Sequence, residues 1–481
     1  MKKGMRFFVF LVTLSLLMTA ILPVCATEPE GAVEVIKSDR TRFGWYATPE
    51  AALKAAVKAG ITDFTIRLHR DFENPGTTTL YHTAAVSYTL DGNGHTIAST
   101  GEGLNTLEIS GNKDASLTIK NLIVRSHGTA VSFSSGKLVI LSGVYYTDTI
   151  DLEQEALLVK AAKDSEIDVA ICGGSFIVDC ESEDHFDVVN FSNAQQVPFR
   201  AAIYGGYFYG NIVKFTIGVY DYSHVEVYGG TFYNSKSTGY ALIVSGITAD
   251  DEAILYGGNY RTPDTNTIPV VRNNKDKCLL TVNGGNYMGG NSVCYNAQNK
   301  DASIYYSAGV QSATVGHSAP IATVGAAVCT APGSLGIGFE AKIDRSTAAY
   351  LTNLADENTE IRLGMLICDA DDLEDLPYFS LDAVAYEEIA YANILSDAVA
   401  DIAADVTFRG GLKNVKEQFK NVKFTAIPYA VVTIDGYDTC FYGLWDREAS
   451  YSMSEIAALA IADTAAGYTE AQLNALALYA D

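Results

Sequence analysis

The sequence predicts a mainly all-β protein: a β-solenoid through the middle, closed by an N-terminal helix, then a smaller β domain with terminal helices. Three observations lead there. One glycine phrase recurs at repeat spacing, a second strand-like phrase recurs between its copies, and a helix-start signal stands ahead of the first strand.

The recurring phrase is alternating apolar residues, Gly-Gly, a gap of one, then an aromatic. It runs Val169-Ala170-Ile171-Cys172-Gly173-Gly174-Ser175-Phe176 and returns with Gly205, Gly206 and Phe208, and with Gly229, Gly230 and Phe232. Two more copies carry Gly257, Gly258 and Tyr260, and Gly284, Gly285 and Tyr287; a weaker early copy has Ser142, Gly143 and Tyr145. The Gly-Gly copies lie 24 to 32 residues apart, a spacing typical of repeat architectures. Between them come Leu107–Ser110, Val131–Ser134, Val189–Ser192, Val213–Thr216 and Leu242–Ser245. Each turn therefore holds at least two alternating strands. One turn cannot bury its apolar face alone, but stacked turns can. Glycine after a strand permits a sharp corner. The aromatics should then stack one strand spacing apart, about 4.8 Å, as an internal ladder of Tyr145, Phe176, Phe208, Phe232, Tyr260 and Tyr287. An antiparallel sandwich is the alternative, but it gives no reason for one phrase to recur in order.

Thr48-Pro49-Glu50 starts a helix, with Thr as N-cap and Pro at the first helical position. Ala51 to Lys58 is a short helix that would plug the open end of the core, and Phe64–Leu68 opens the first strand.

The capping helix, the run Leu90-Asp91-Gly92-Asn93-Gly94-His95-Thr96-Ile97 and the stacked turns resemble the pectate-lyase-like superfamily of right-handed parallel β-helices, over residues 47–314. The resemblance implies the handedness. It does not choose a function, because that superfamily includes lyases, hydrolases, epimerases and non-catalytic adhesins. The Asn-Thr-Asp and Gly-His-Gly motifs of polygalacturonases are not found in the chain.

The repeat stops after Gly316, and Pro320 and Pro332 bracket the boundary. Strand-like runs follow at Gly336–Ile343, Ile361–Cys368 and Val422–Thr433, then helical runs at Tyr451–Ala462 and Ala471–Tyr479. Thr469 with Gln472 is a capping-box signal. This third is similar to a module at the C-termini of secreted proteins of Gram-positive anaerobes. The matching phrases include Leu335-Gly336-Ile337-Gly338-Phe339, Leu363-Gly364-Met365-Leu366-Ile367 and Phe424-Thr425-Ala426-Ile427-Pro428-Tyr429-Ala430. The usual arginine near Ile427 is missing, and no chemistry comes with the module. The expected divisions are a signal peptide at 1–26, a lead-in at 27–46, the β-helix at 47–314, a β-sandwich-like module at 315–448 and a helical segment at 449–481.

Lys2, Lys3 and Arg6, an apolar run from Phe7 to Val24 and Val24-Cys25-Ala26 have the layout of a secretory signal peptide. The alternatives are a membrane anchor or a lipid on Cys25. Cleavage before Thr27 removes three basic residues and no acidic ones, so 30 Lys+Arg face 57 Asp+Glu at a formal charge of −27. Such a surface repels nucleic acid and anionic lipid, and the expected location is extracellular or at the cell surface. Seven cysteines remain: Cys172, Cys180, Cys278, Cys294, Cys329, Cys368 and Cys440. Sparse, odd in number and without zinc spacing, they read as buried or unpaired thiols.

Register gives the outward residues. Nearest the glycines come Ser142, Cys172, Tyr204, Tyr228, Tyr256 and Asn283. The next set is Ile140, Ala170, Ala202, Glu226, Ile254 and Thr281, and the third includes Asp168, Arg200, His224 and Glu252. Tyr204, Tyr228 and Tyr256 would thus form an outer row beside Arg200, His224, Glu226 and Glu252. Aromatic rings stack on sugar C–H faces and charged groups bond sugar hydroxyls, so the row suits a polysaccharide or host glycan. The plainer alternative is a tyrosine ladder that packs on itself or under other chain. His224 and Glu226 share a strand face and are candidates for acid–base work, as are Asp187, Asn190 and Lys214 on another face. Neither set is a recognised motif. Asp369, Asp371 and Asp372 begin like a calcium loop, but Leu373 occupies the fifth position and the later ligands are missing. No cofactor is expected beyond that weak calcium signal. The expected function is non-catalytic glycan binding. A polysaccharide lyase or glycoside hydrolase acting on the outer face is the alternative, and a structural stalk is a third reading.

Overall fold

The computed structural model describes residues 32–480 except 102, 149–153, 180–186, 212–214, 246–251, 264–269, 274–278, 289–293, 296–303, 307–320, 332–333, 344, 358, 375, 377, 400–404, 444 and 446–448. The signal-peptide segment, Lys214 and the boundary prolines lie outside the described residues.

Each turn of the solenoid contributes three strands, one more than the minimum of two read from the sequence, to three parallel sheets. Sheet I runs from Asp63–Leu68 to Ile304–Tyr306, extended at its start by the antiparallel hairpin Val33–Lys37 and Arg42–Tyr46 from the lead-in. Sheet II runs from Phe72–Asn74 to Asn286–Met288, and sheet III from Thr78–His82 to Cys294–Tyr295, with nine strands each. Leu, Ile and Val from alternate positions of all three fill the interior.

The glycine phrase sits at the corner between sheets I and II and does two jobs. The first glycine lies against the carbonyl of the turn below: a Cβ on Gly257 would come within 2.1 Å of the Tyr228 oxygen. The second adopts positive φ, +93° at Gly258, where a side chain is strained. The aromatics beyond the corner form the internal ladder. Rings from Tyr145 through Phe176, Phe208, Phe232 and Tyr260 to Tyr287 are stacked with centroids 4.7–4.9 Å apart. All six are fully buried.

Two register details differ from the sequence reading. Val144 pairs with Ser175, so Ser142 occupies the place of the first glycine, not the residue before it. The outward residues of that turn are Leu141 and Val139, and Ile140 is fully buried inside. Likewise Val189 pairs with Ile217, so the strand is Phe215–Tyr220 and its register is four residues later than the run Val213–Thr216 implied.

The helix Pro49–Lys58 closes the N-terminal end. Thr48 Oγ1 accepts from the Ala51 N–H at 3.2 Å, and Ala52, Leu53 and Ala56 are buried against the first turns.

The C-terminal domain has two antiparallel sheets. Sheet IV joins Ile321–Ala331, Ser334–Ile343 and Val406–Lys413. Sheet V orders Tyr391–Val399, Ile361–Asp369, Lys423–Ile434 and Tyr437–Tyr442, with Ser450–Ser452 added beside Lys423–Ile434. Ile337, Phe339 and Ala341 of sheet IV share a core with Met365, Ile367 and Ala426 of sheet V, sealed by Met453 and Ile456 of the helix Met453–Ala462 and by Leu476. The last helix, Glu470–Leu476, has the capping box expected of Thr469 and Gln472.

This domain is packed on the solenoid. Leu363, Ala430, Val432 and Ile434 of sheet V share a core with Val139, Ala170, Ala202, Tyr204 and Tyr228 on the outside of sheet I. Tyr378, Phe379, Ala383 and Val384 pack with Ile177 and Tyr207 on the outside of sheet II. The bare glycine corner lies under the same domain: Cβ atoms on Gly229 and Gly257 would meet Thr439 at 2.9 Å and Phe441 at 2.7 Å.

Candidate functional site

The outer tyrosine row forms as the register predicts. Tyr204 and Tyr228 stack at 5.3 Å, and Tyr228 and Tyr256 at 4.7 Å, with nearly parallel rings. Its first two members are closed to solvent, and Tyr256 is partly buried. Tyr204 is 2% exposed and Tyr228 9%, because the C-terminal domain covers them. The Tyr204 hydroxyl donates to Asp435 Oδ2 at 2.6 Å, and Tyr350 donates to the Tyr256 carbonyl at 2.6 Å. Burial, then Asp435, pushes the Tyr204 hydroxyl well above the usual phenol range. Stacking of a sugar on these two faces is therefore corrected: those faces hold a domain.

A cleft of about 260 Å³ opens where that domain meets sheet I, lined by Lys137, Asp168, Arg200, Tyr204, Asp435 and Tyr437 together with backbone and small apolar groups of sheet I. Its outer wall is the turn Ile434-Asp435-Gly436-Tyr437. Asp435 and Gly436 both have positive φ, the Asp-Gly geometry of a two-residue hairpin turn. Asp356 clamps it by accepting the Asp435 and Gly436 N–H groups, each at 2.8 Å. This holds Asp435 over Arg200, whose Nη2 donates to it at 2.7 Å. The Tyr204 hydrogen bond, then Arg200, keeps the Asp435 carboxyl below the usual range, so it is a fixed anion.

The inner wall is formed by Lys137, Asp168 and Arg200, three members of one in-register row of sheet I that continues beyond the cleft as His224 and Glu252. Its charges pair along the row. Lys137 lies 3.3 Å from Asp168, and His224 Nδ1 lies 3.0 Å from Glu252. Arg200 also reaches Glu226 at 3.6 Å. The cleft thus presents bonded donors and acceptors with a tyrosine edge, and little net charge.

Of the predicted site residues, Arg200, His224, Glu226 and Glu252 come together beside the cleft, and Tyr204 lines it with its edge. Asp168 was expected outward, and Lys137, Asp435 and Tyr437 were missed. Asp435 and Tyr437 had a local signal, the Asp-Gly pair between apolar strands, but nothing local tells where that turn docks.

The second predicted cluster lies on sheet III. Asp187, 7% exposed, accepts from Asn190 Nδ2 at 2.9 Å and from the Tyr220 hydroxyl at 3.2 Å. Gly218 makes room: a Cβ there would meet both Asp187 and Tyr220 within 2.6 Å.

In the acidic loop, the Asp371 N–H donates to Asp369 Oδ1 at 3.1 Å, a turn-forming bond, and Asp371–Leu373 is one turn of 3₁₀ helix. Burial, and then the like charges of Asp372 and Asp371, raise the Asp369 carboxyl. No group of three or more His, Cys, Asp or Glu side chains is placed to hold a metal among the described residues. Cys172, Cys329, Cys368 and Cys440 carry free thiols, and burial pushes those of Cys172, Cys368 and Cys440 up to about 12.

No family model matches the chain, and no curated protein matches it.

Proposed function

We propose that this is an exported, non-catalytic β-helix protein of the pectate-lyase-like kind that binds a polysaccharide or host glycan at the interdomain cleft. The observation that carries the reading is the wall composition. Tyr437, its ring 5.0 Å from that of Tyr204, lines the cleft with paired carboxylates, an ammonium and a guanidinium around a space for about one sugar ring, smaller than the roughly 300–1,000 Å³ of drug-sized pockets. Such groups bond sugar hydroxyls in the plane of the ring, and the tyrosine covers its C–H face.

The non-catalytic reading is supported by the pairing. Glycoside hydrolysis by two carboxyls needs one held protonated near another that is ionised. Asp435 is instead held ionised, and Glu226 and Glu252 are engaged by Arg200 and His224.

A panel of polygalacturonate, xylan and chondroitin sulfate tests the function, alongside reducing-end and unsaturated-uronate assays. Tyr437→Ala should weaken binding about tenfold, the loss of roughly 1.4 kcal/mol. Binding by none of them, or turnover by the wild type, refutes the reading. Mass spectrometry of culture supernatant tests export, with Thr27 as the expected first residue.

A further inference from the structure

We propose that the cleft takes the end of a linear glycan and not an internal stretch of one; this rests on the glycan-binding reading above. The outside of sheet I changes character along the solenoid. Its first three turns are polar, in register: Asp63, Thr65 and Arg67, then Ser87, Thr89 and Asp91, then Ser116, Thr118 and Lys120. Thr65, Thr89 and Thr118 form a half-exposed hydroxyl column. One side is fenced by Arg67 and Lys120, at 3.2 and 3.6 Å from Asp91.

The next members of that column are Val139, Ala170 and Ala202, all buried under the C-terminal domain. A chain lying on the threonines therefore runs into the domain at Val139. The neighbouring column, Ser87 and Ser116, continues as Lys137, Asp168 and Arg200 and forms the cleft wall beneath Asp435 and Tyr437.

Parallel turns repeat about every 4.8 Å. An extended pyranose chain advances by a comparable distance per residue, so successive sugars would meet the same hydroxyl in each turn. Sheet I thus offers a straight track with a blocked end, and the cleft with its aromatic and its paired charges lies at the block. Recognition of a terminus follows from that order of parts.

The test counts ends against mass. Fluorescently labelled protein is bound to whichever of the three polysaccharides it takes. Intact polymer then competes against the same polymer cut to about one-tenth of its length. Ends rise about tenfold at constant mass, and competition per unit mass should rise about tenfold with them. The double variant Thr89→Val, Thr118→Val should lose the preference for long over short oligosaccharides while melting as the wild type does. Equal competition per unit mass, or an unchanged length preference in the double variant, overturns the inference and leaves glycan binding standing. Binding to none of the polymers removes both.

Discussion

Tyr228→Ala separates a docked domain from a decorative outer ladder. A ring on the outside of a solenoid that faced water would contribute little to stability. Tyr228 is instead 9% exposed, with Tyr204 at 5.3 Å on one side and Tyr256 at 4.7 Å on the other, rings within 1° and 6° of parallel. Each stacked pair contributes roughly 0.5–1.5 kcal/mol beyond burial, so two give about 1–3 kcal/mol. The apolar surface shared with sheet V adds to this, within the roughly 3–5 kcal/mol ceiling for aromatic-to-alanine changes in cores. A loss of about 3 kcal/mol is the working figure. At roughly 2–4 °C per kcal/mol for a domain of this size, melting should fall by about 6–12 °C. Differential scanning calorimetry reads it directly. Tyr228→Phe keeps the stack and should stay near the wild type. If Tyr228→Ala melts within about 1 °C of the wild type, the domain is not held on this face and the burial argument fails.

Phe208→Ala opens a hole in the internal ladder between rings at 4.9 and 4.7 Å, and should cost about 3–5 kcal/mol in urea unfolding. Gly206→Ala places a Cβ at φ +116° and 3.1 Å from both the Gly174 carbonyl and the Phe208 ring, and should cost roughly 1–3 kcal/mol by the same measurement. His82, 2% exposed with Nε2 3.0 Å from the Tyr88 hydroxyl, has its pKa lowered by burial to about 4. A depressed folded-state value means the unfolded chain takes up the proton first. This contribution is whole above about pH 6.5 and is lost as the pH falls towards 4, by about 3 kcal/mol. His82→Gln should flatten that part of a stability–pH curve, and an unchanged slope counts against it.

The solenoid was legible because each turn repeats the same local chemistry. A glycine that must approach a carbonyl, another that must take positive φ and a ring that must stack leave marks at fixed offsets. Three C-terminal strands, Ser334–Ile343, Ile361–Asp369 and Lys423–Ile434, were legible as long apolar runs, whereas Ile321–Ala331, Tyr391–Val399, Val406–Lys413 and Tyr437–Tyr442 were missed. The slip at Ser142 has a physical cause: with one glycine instead of two, the phrase does not say which glycine is missing, and a slip of one residue exchanges inside for outside. Docking was not legible from any phrase, because Arg200 and Asp435 are 235 residues apart in sequence. It did leave a trace once the register was known. Outward positions run Thr65, Thr89 and Thr118, then Val139, Ala170 and Ala202. The parallel column runs Arg67, Asp91, Lys120 and a still exposed Leu141, then Cys172 and Tyr204, which pack under the domain. Apolar residues at positions that face water in earlier turns mark a covered surface.

The covered surface also bears on function, because the C-terminal domain builds half of the cleft. Asp435 and Tyr437 reach the site only while Leu363, Ala430, Val432 and Ile434 stay packed on sheet I. On the proposed glycan-binding reading, stability of docking and affinity for the ligand are linked, since a ligand that needs the docked arrangement stabilises it by mass action. Tyr228 does not line the cleft but stacks on Tyr204, which does, and Tyr228→Ala should weaken binding by loosening the wall that carries Tyr437. Saturating glycan should in turn recover part of the melting temperature that variant loses. A variant that melts early but binds with wild-type affinity would place the ligand on the solenoid alone.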